Sequence, residues 1–267
     1  MDLPMAQDEG YLRAAIVRQW RALADSYLQF RARRQGYNEL VLTPAVLEML
    51  GEVNGLRILD AGCGSGDIAL HCAAASARVT AVDISDRMVE VARGRASREG
   101  LSIDFRLGDL EDLGMFADGS FDAIICLVAV AGRLDAITRE FGRLLPAGGR
   151  LYFGDVHPML NKGRQEVRDG EPSLSVSGYF DRSVQSLVNP FGPVAGGEEI
   201  SFYWKNYTLQ DYFDALADGG FLVQRYLEPA PRLGEGGDAL KIARASSYPF
   251  FFLIRAVRAP DLPPGSP

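Results

Sequence analysis

Residues 58–69 read ILDAGCGSGDIA, and no other stretch limits the fold of this chain as tightly. An apolar run ends in a carboxylate, Asp60, and passes directly into three alternating glycines, Gly62, Gly64 and Gly66. Ile68, Ala69 and Leu70 then open a helix-compatible stretch. A buried parallel strand, a tight turn and a helix whose N-terminus faces a ligand fit this order. Glycine serves twice in such a turn, because it accepts positive φ and has no Cβ to hold a ligand off the backbone.

The sequence around the turn alternates between two periodicities. Strands are predicted over Arg57–Asp60, Arg78–Asp83, Ser102–Leu107, Phe121–Leu127 and Gly149–Asp155. Helical segments fall near Asp67–Ala75, Asp86–Glu99 and Leu134–Leu145. In the last of these, Leu134, Ile137, Phe141 and Leu144 make an apolar stripe at helical spacing. Alternating strands and helices imply parallel pairing in a doubly wound α/β sheet. Such sheets bind ligands at the carboxyl ends of their strands.

Before the first strand, Trp20, Leu23, Tyr27 and Phe30 share one face of a helix, and Pro44–Leu50 fits a second helix with Thr43 as N-cap. Residues 1–50 are therefore read as a helical cap on a main domain spanning 51–258. Within that domain, 157–207 is an insertion after the fifth strand. Its stretch 157–200 is rich in Gly, Pro, Ser and Asn and has no sustained period. Regular structure resumes at Thr208, which with Asp211 is spaced like a capping box, and Gly219-Gly220 stops that helix. Phe221–Leu227 and Tyr248–Val257 are predicted as two closing strands joined by a polar loop, an antiparallel, hairpin-like end to the sheet. Residues 259–267 read as a disordered tail.

Composition removes several functions. The formal charge is −7 over 267 residues, with no basic face for phosphates, so nucleic acid is not the expected partner. Arg31, Arg33 and Arg34 are the local exception and read as a solvated helix face. The three cysteines, Cys63, Cys72 and Cys126, form no metal-binding or disulfide pattern. Cys63 sits inside the glycine turn, where a small residue is needed. The N-terminus lacks the apolar core of a signal peptide, and no apolar run of about 18 residues occurs. The expectation is a cytoplasmic protein with no membrane partner, a homodimer being left open.

The identity of the ligand rests on three carboxylates. A dinucleotide turn places its last glycine one residue later than Gly66, and Asp60 before the turn would repel a pyrophosphate while favouring an ammonium or sulfonium. Asp83, ending the second strand, is placed to accept from ribose hydroxyls. Asp109, after the third, can accept from an exocyclic amine. Together they suit a ligand with an adenine, a ribose and a positive charge.

Here the sequence resembles the class I S-adenosylmethionine-dependent methyltransferases of small molecules. The matching pieces are ILDAGCGSG, AVDIS with Met88, GDLEDL, FDAIICLVAV and LLPAGGRLYF, in the family's order over roughly Leu56–His157. The resemblance implies a Rossmann-like seven-stranded sheet of order 3-2-1-4-5-7-6 with strand 7 antiparallel, and S-adenosyl-L-methionine as cofactor. It places Asp60, Gly62, Cys63, Gly64 and Gly66 under the methionine part, and Asp83 on the ribose. Ile84 and Met88 sandwich the adenine, and Asp109 with the backbone of Leu110 reads its amino group. Cys126, late in the fourth strand, is counted with the cofactor residues. Trp20, Ala24 and Tyr27 match the spacing of a helix that closes over the cofactor in some relatives; Trp20 is read as packing, while Tyr27 is carried as a cofactor contact.

The acceptor half is less legible. Of two histidines, His71 reads as helix packing, whereas His157, just past the fifth strand in GDVHPML, is the candidate catalytic base. Asp155 at the same strand end is the second candidate. Between Tyr179 and Phe252 lie 15 of the 26 aromatic residues, so the insertion is expected to form an aromatic lid over a small, apolar or planar acceptor. The expected reaction is in-line methyl transfer to that acceptor. A cyclising or non-methyl transfer, or a non-catalytic cofactor-binding subunit, remains open.

Overall fold

The computed structural model describes residues 9–34, 36–231 and 238–260. Its centre is a seven-stranded sheet. Five strands come from the alternating half: β1 (Arg57–Ala61), β2 (Arg78–Asp83), β3 (Asp104–Leu107), β4 (Ala123–Leu127) and β5 (Arg150–Val156). Two come from the end of the chain, β10 (Phe221–Leu227) and β11 (Phe251–Arg258). The order is β3-β2-β1-β4-β5-β11-β10, and β11 runs antiparallel to both its neighbours. This is the expected 3-2-1-4-5-7-6 arrangement with its last strand reversed.

The period-2 pattern of the strands explains why both faces are covered. Leu59, Ile124, Leu151, Phe153 and Ile254 point to one face, where they meet Ile137, Phe141 and Leu144 of α5 (Leu134–Leu144) and Tyr212 and Leu216 of α7 (Leu209–Asp218). Ile58, Ile125, Tyr152 and Leu253 point to the other. There they meet α2 (Thr43–Leu50), α3 (Asp67–Ala74) and α4 (Asp86–Arg98) through Val46, Ala69 and Ala92. Burying each large apolar side chain of the α5 stripe stabilises by about 1.5–3 kcal/mol, which fixes that helix against the sheet.

Three expectations need correction. Thr43 is not the N-cap of α2: it lies inside the helix, because a π-helical turn, Asn38–Leu42, runs straight into it. The insertion after β5 is not irregular. It holds a four-residue helix, α6 (Pro158–Asn161), and two antiparallel hairpins, β6–β7 (Gly163–Arg168, Glu171–Val176) and β8–β9 (Val184–Val188, Ser201–Lys205). Short polar strands exposed on one or both faces carry little periodicity, so the sequence hides them. Finally, β10 and β11 are joined through a helix, α8 (Ala239–Ser247), rather than a loop alone, with Asp238 capping Leu240 and Lys241. The capping box of α7 forms as expected: Thr208 Oγ1 accepts from Asp211 N, and the Asp211 carboxylate accepts from Thr208 N. Residues 261–267 of the tail lie outside the described residues.

Two further elements position the site. The helix α1 (Glu9–Arg34) crosses the carboxyl ends of β2 and β3. Ion pairs hold it there, Arg13 to Asp109 at 2.6 Å and Arg21 to Asp86 at 2.9 Å. Buried Gln19 ties α1 to β9 through both ends of its amide, donating to Tyr203 O at 3.0 Å and accepting from Tyr203 N at 2.7 Å. Leu12, Ala15, Ile16, Val184 and Tyr203 pack the seam. Helix and hairpin therefore form one cover.

Candidate active site

A cavity of roughly 570 Å³ lies between this cover and the carboxyl ends of β1, β2, β4 and β5. Its floor begins at the glycine turn. Gly62, Gly64 and Gly66 have φ of 77°, 51° and 85°, values that disfavour any side chain. Their reasons differ in detail. A Cβ on Gly62 would come within 2.2 Å of Ala129 Cβ, so the fold needs glycine there, whereas a Cβ on Gly64 would meet no protein atom within 4 Å. The open space above Gly64 is where a ligand can approach the backbone.

The carboxylates ring this turn. Asp83 accepts from Gly64 N at 2.8 Å and from Ser85 N at 2.9 Å, and burial pushes its pKa up. Asp60 accepts from Ala69 N at 3.0 Å, and burial raises its pKa to about 7. A buried carboxylate without a cation is costly, so the arrangement favours a positively charged ligand. On the far side Asp109 is already engaged, by Arg13 and by Glu111 N at 2.9 Å.

The structure brings nearly all expected cofactor residues to this one cavity: Tyr27, Asp60, Gly62, Cys63, Gly64, Asp83, Ile84, Met88, Asp109 and Leu110 line it. Gly66 stands behind, packed towards Ala92 as the N-cap of α3. Cys63 is 9% exposed, and burial beside Asp60 and Asp83 pushes its thiol pKa far up, consistent with a steric role. Tyr27 meets Trp20 edge-on at 5.4 Å and Phe191 of the β8–β9 loop at 5.0 Å. Trp20, read as packing, also lines the cavity and stacks on Phe191 at 5.9 Å.

Two expected residues fall elsewhere. Cys126 is fully buried inside β4, among Leu59, Ile124 and Phe153, and does not line the cavity. The strand alternation turns it into the core, while its neighbour Leu127 reaches the cavity wall. His157 is also absent from the lining, although it is 2% exposed. It caps α6, with Nδ1 accepting from Met159 N at 3.3 Å, and its Nε2 lies 3.3 Å from Glu228 of the segment after β10. Burial lowers its pKa, opposed by Glu228. The His-Pro pair is a helix start that turns its ring away from the cavity. Asp155, by contrast, lines the cavity.

Several lining residues carry no sequence signal. The π-turn contributes Asn38, Glu39 and Leu42, and no periodicity announces such a turn. Val128, just past β4, is β-branched yet has φ of 53°, a strained conformation at the cavity wall. Arg31, in the last turn of α1, reaches the glycine turn, paired with Asp67 at 2.8 Å and with Glu39.

Comparison with known proteins agrees with this geometry. Residues 58–149 match the family model of a methyltransferase domain. In this stretch and in its fold the chain is similar to S-adenosylmethionine-dependent methyltransferases. A ubiquinone biosynthesis O-methyltransferase of Xanthomonas euvesicatoria is 36% identical over 121 residues, which are 43% of this chain and 51% of that protein. Its counterpart from Methylocella silvestris is 43% identical over 110 residues, 40% of this chain and 43% of its own length. The chain thus spans about half the length of the curated relatives it matches. An S-adenosylmethionine-dependent methyltransferase from Mesorhizobium loti, 26% identical, superposes with a TM-score of 0.66 over 80% of this chain and 96% of its own.

The site fits S-adenosylmethionine, the cofactor of the methyltransferases that the chain resembles. The space above Gly64 admits the ligand to the backbone, and Asp60 and Asp83 supply negative charge where sulfonium and ammonium need it. Among the described residues no helix is long and apolar enough to cross a membrane, and no group of three or more His, Cys, Asp or Glu could hold a metal ion.

Proposed function

We propose that this chain methylates an oxygen of a small, apolar or planar organic molecule, in the cytoplasm, by in-line displacement. The observation that carries the reading is the continuity of the cavity. From the Asp60–Gly64–Asp83 end it runs on past β4 to a second half walled by Leu42, Val128, Val156, Leu160 and Phe250. Tyr37 stacks on Phe250 at 3.9 Å and extends that apolar wall. One end suits a cationic nucleoside and the other an apolar partner, under one cover. The choice of oxygen follows the O-methyltransferases among the relatives.

Bound S-adenosylmethionine supplies a methyl group already activated by its sulfonium; the protein has to bind, align and dry the pair. In this reading Asp83 holds the ribose while Gly64 N and Ser85 N fix its carboxylate. Ile84 and Met88 flank the adenine, and Leu110 closes its edge. Asp109 offers an acceptor there, shared with Arg13 of the cover. Tyr27 and Phe191, in edge-on contact, exclude water above the reacting atoms. Alignment alone is worth about 7–11 kcal/mol for such a pair. Residues 157–207 act as the substrate lid.

Thermal melts with S-adenosylhomocysteine and with NAD test the cofactor half, since a ligand that binds the folded chain raises the melting temperature. Formation of S-adenosylhomocysteine with phenols, amines and thiols tests the acceptor. Turnover confined to amines or thiols refutes the oxygen assignment.

A further inference from the structure

Resting on the reading above, we infer that Asp155 takes the proton from the acceptor's hydroxyl, and that Tyr212 positions its carboxylate. Asp155 is the penultimate residue of β5, where it is 7% exposed and lines the cavity. Oδ1 accepts from Val156 N at 2.7 Å and Oδ2 accepts from the Tyr212 hydroxyl at 3.0 Å. Each oxygen keeps a lone pair free, so the carboxylate can receive a proton without losing its anchors.

The other carboxylates of the cavity are committed elsewhere. Asp67 and Glu39 pair with Arg31, and Asp109 pairs with Arg13. Glu111 accepts from Arg133 N at 2.8 Å, and Asp60 and Asp83 sit at the glycine turn. Among the described residues Asp155 has no cationic partner. The groups facing it are Tyr212 from α7, Cys126 from β4 and the apolar Phe252 from β11; His157, two residues on, turns to Glu228. Desolvation brings the Asp155 pKa to about 7, where a base is half ionised at neutral pH and can both accept and release a proton.

The step balances within the proposed reaction. The O–H bond breaks and its proton passes to an Asp155 oxygen. The electron pair left on the acceptor oxygen forms the bond to the methyl carbon, and the pair of the broken C–S bond stays on sulfur. The acceptor class is therefore a hydroxyl that needs help to ionise, a phenol or enol on an apolar frame, rather than an acid already charged.

The test compares wild type, Asp155→Asn and Tyr212→Phe with phenol, catechol and 4-nitrophenol, the last already largely ionised at mildly alkaline pH. A melting shift with S-adenosylhomocysteine first verifies that each variant folds and binds. Asp155→Asn is expected to lower turnover of phenol and catechol by 10²- to 10⁴-fold and of 4-nitrophenol by less than tenfold. Tyr212→Phe should lower phenol turnover about tenfold and shift its pH profile.

A second readout needs no turnover. In the presence of S-adenosylhomocysteine, at pH 8, the visible band of nitrophenolate follows its binding. Loss of the Asp155 charge should tighten that binding several-fold, a gain that a merely structural role would not give. If wild type methylates phenol and Asp155→Asn keeps its rate, or if nitrophenolate binds the variant no better, the assignment of Asp155 is overturned while oxygen methylation stands. If wild type forms no methyl ether from any of the three, both readings are overturned.

Discussion

Asp60 gives the sharpest prediction, because it concerns stability and can be read without any substrate. Asp60 is 5% exposed, its carboxylate accepts one backbone N–H and has no cationic partner among the described residues, and burial raises its pKa from 3.8 to about 7. The folded protein therefore retains a proton that the unfolded chain releases near pH 4. Stability from this group is complete below pH 4 and is lost as pH rises towards 7. A change from 3.8 to about 7 is worth roughly 4 kcal/mol at 1.36 kcal/mol per pH unit. Only about two of those pH units lie between pH 5 and pH 8, and water reaching the carboxylate through the cavity reduces the effect further, so about 1–2.5 kcal/mol is expected in that window. Urea unfolding of wild type and Asp60→Asn at both values measures it. The variant keeps an oxygen for Ala69 N but cannot ionise, so its stability should fall less by that amount. Saturating S-adenosylhomocysteine should flatten the wild-type curve, because its ammonium supplies the missing cation. Parallel stability–pH curves for wild type and variant would falsify the account of Asp60 as a buried acid awaiting a charged ligand.

Three further substitutions separate cofactor binding, turn geometry and helix capping. Asp83→Asn removes the charge but leaves an acceptor for one backbone N–H, so affinity for S-adenosylhomocysteine by calorimetry should fall about 10- to 100-fold, with a much smaller change in melting temperature. Gly62→Ala places a methyl group against Ala129 at a φ of 77°, and should cost about 2–5 kcal/mol in chemical unfolding; a loss under 1 kcal/mol would mean the turn relaxes freely. His157→Ala removes the cap of α6 and should cost about 0.5–2 kcal/mol, while His157→Asn, which can cap, should recover most of it. A hundredfold drop in turnover for both variants at unchanged stability would restore His157 to the chemistry.

The parts of the molecule that were legible in the sequence are those where one residue type is dictated by backbone geometry or by a two-sided core. The glycine turn could be read because positive φ and the approach of Ala129 leave no alternative at Gly62. The sheet could be read because its strands are buried on both faces and its helices on one, which imprints two periods. The acceptor half has neither constraint. Its walls come from the π-turn, the segment after β4 and the loop of the β8–β9 hairpin, where apolar residues such as Leu42, Val128 and Phe191 obey no repeat.

The exchange of roles between His157 and Asp155 shows the physical reason most plainly. Sequence position put both residues at the end of β5, and the chemistry of imidazole favoured the histidine. Side-chain direction decides otherwise: residues two apart in a strand would share a face, but the strand ends at Val156 and Pro158 starts a helix that recruits the His157 ring as its cap. Asp155 is left facing the cavity with Tyr212 as its fixed partner. A base chosen from sequence by its unperturbed pKa is thus open to error wherever burial shifts a neighbouring carboxylate into the same range. Here burial moves Asp155 up to about 7 and moves His157 down. In the proposed reaction the residue placed to exchange a proton with the acceptor's hydroxyl is chosen by its orientation, and not by its type.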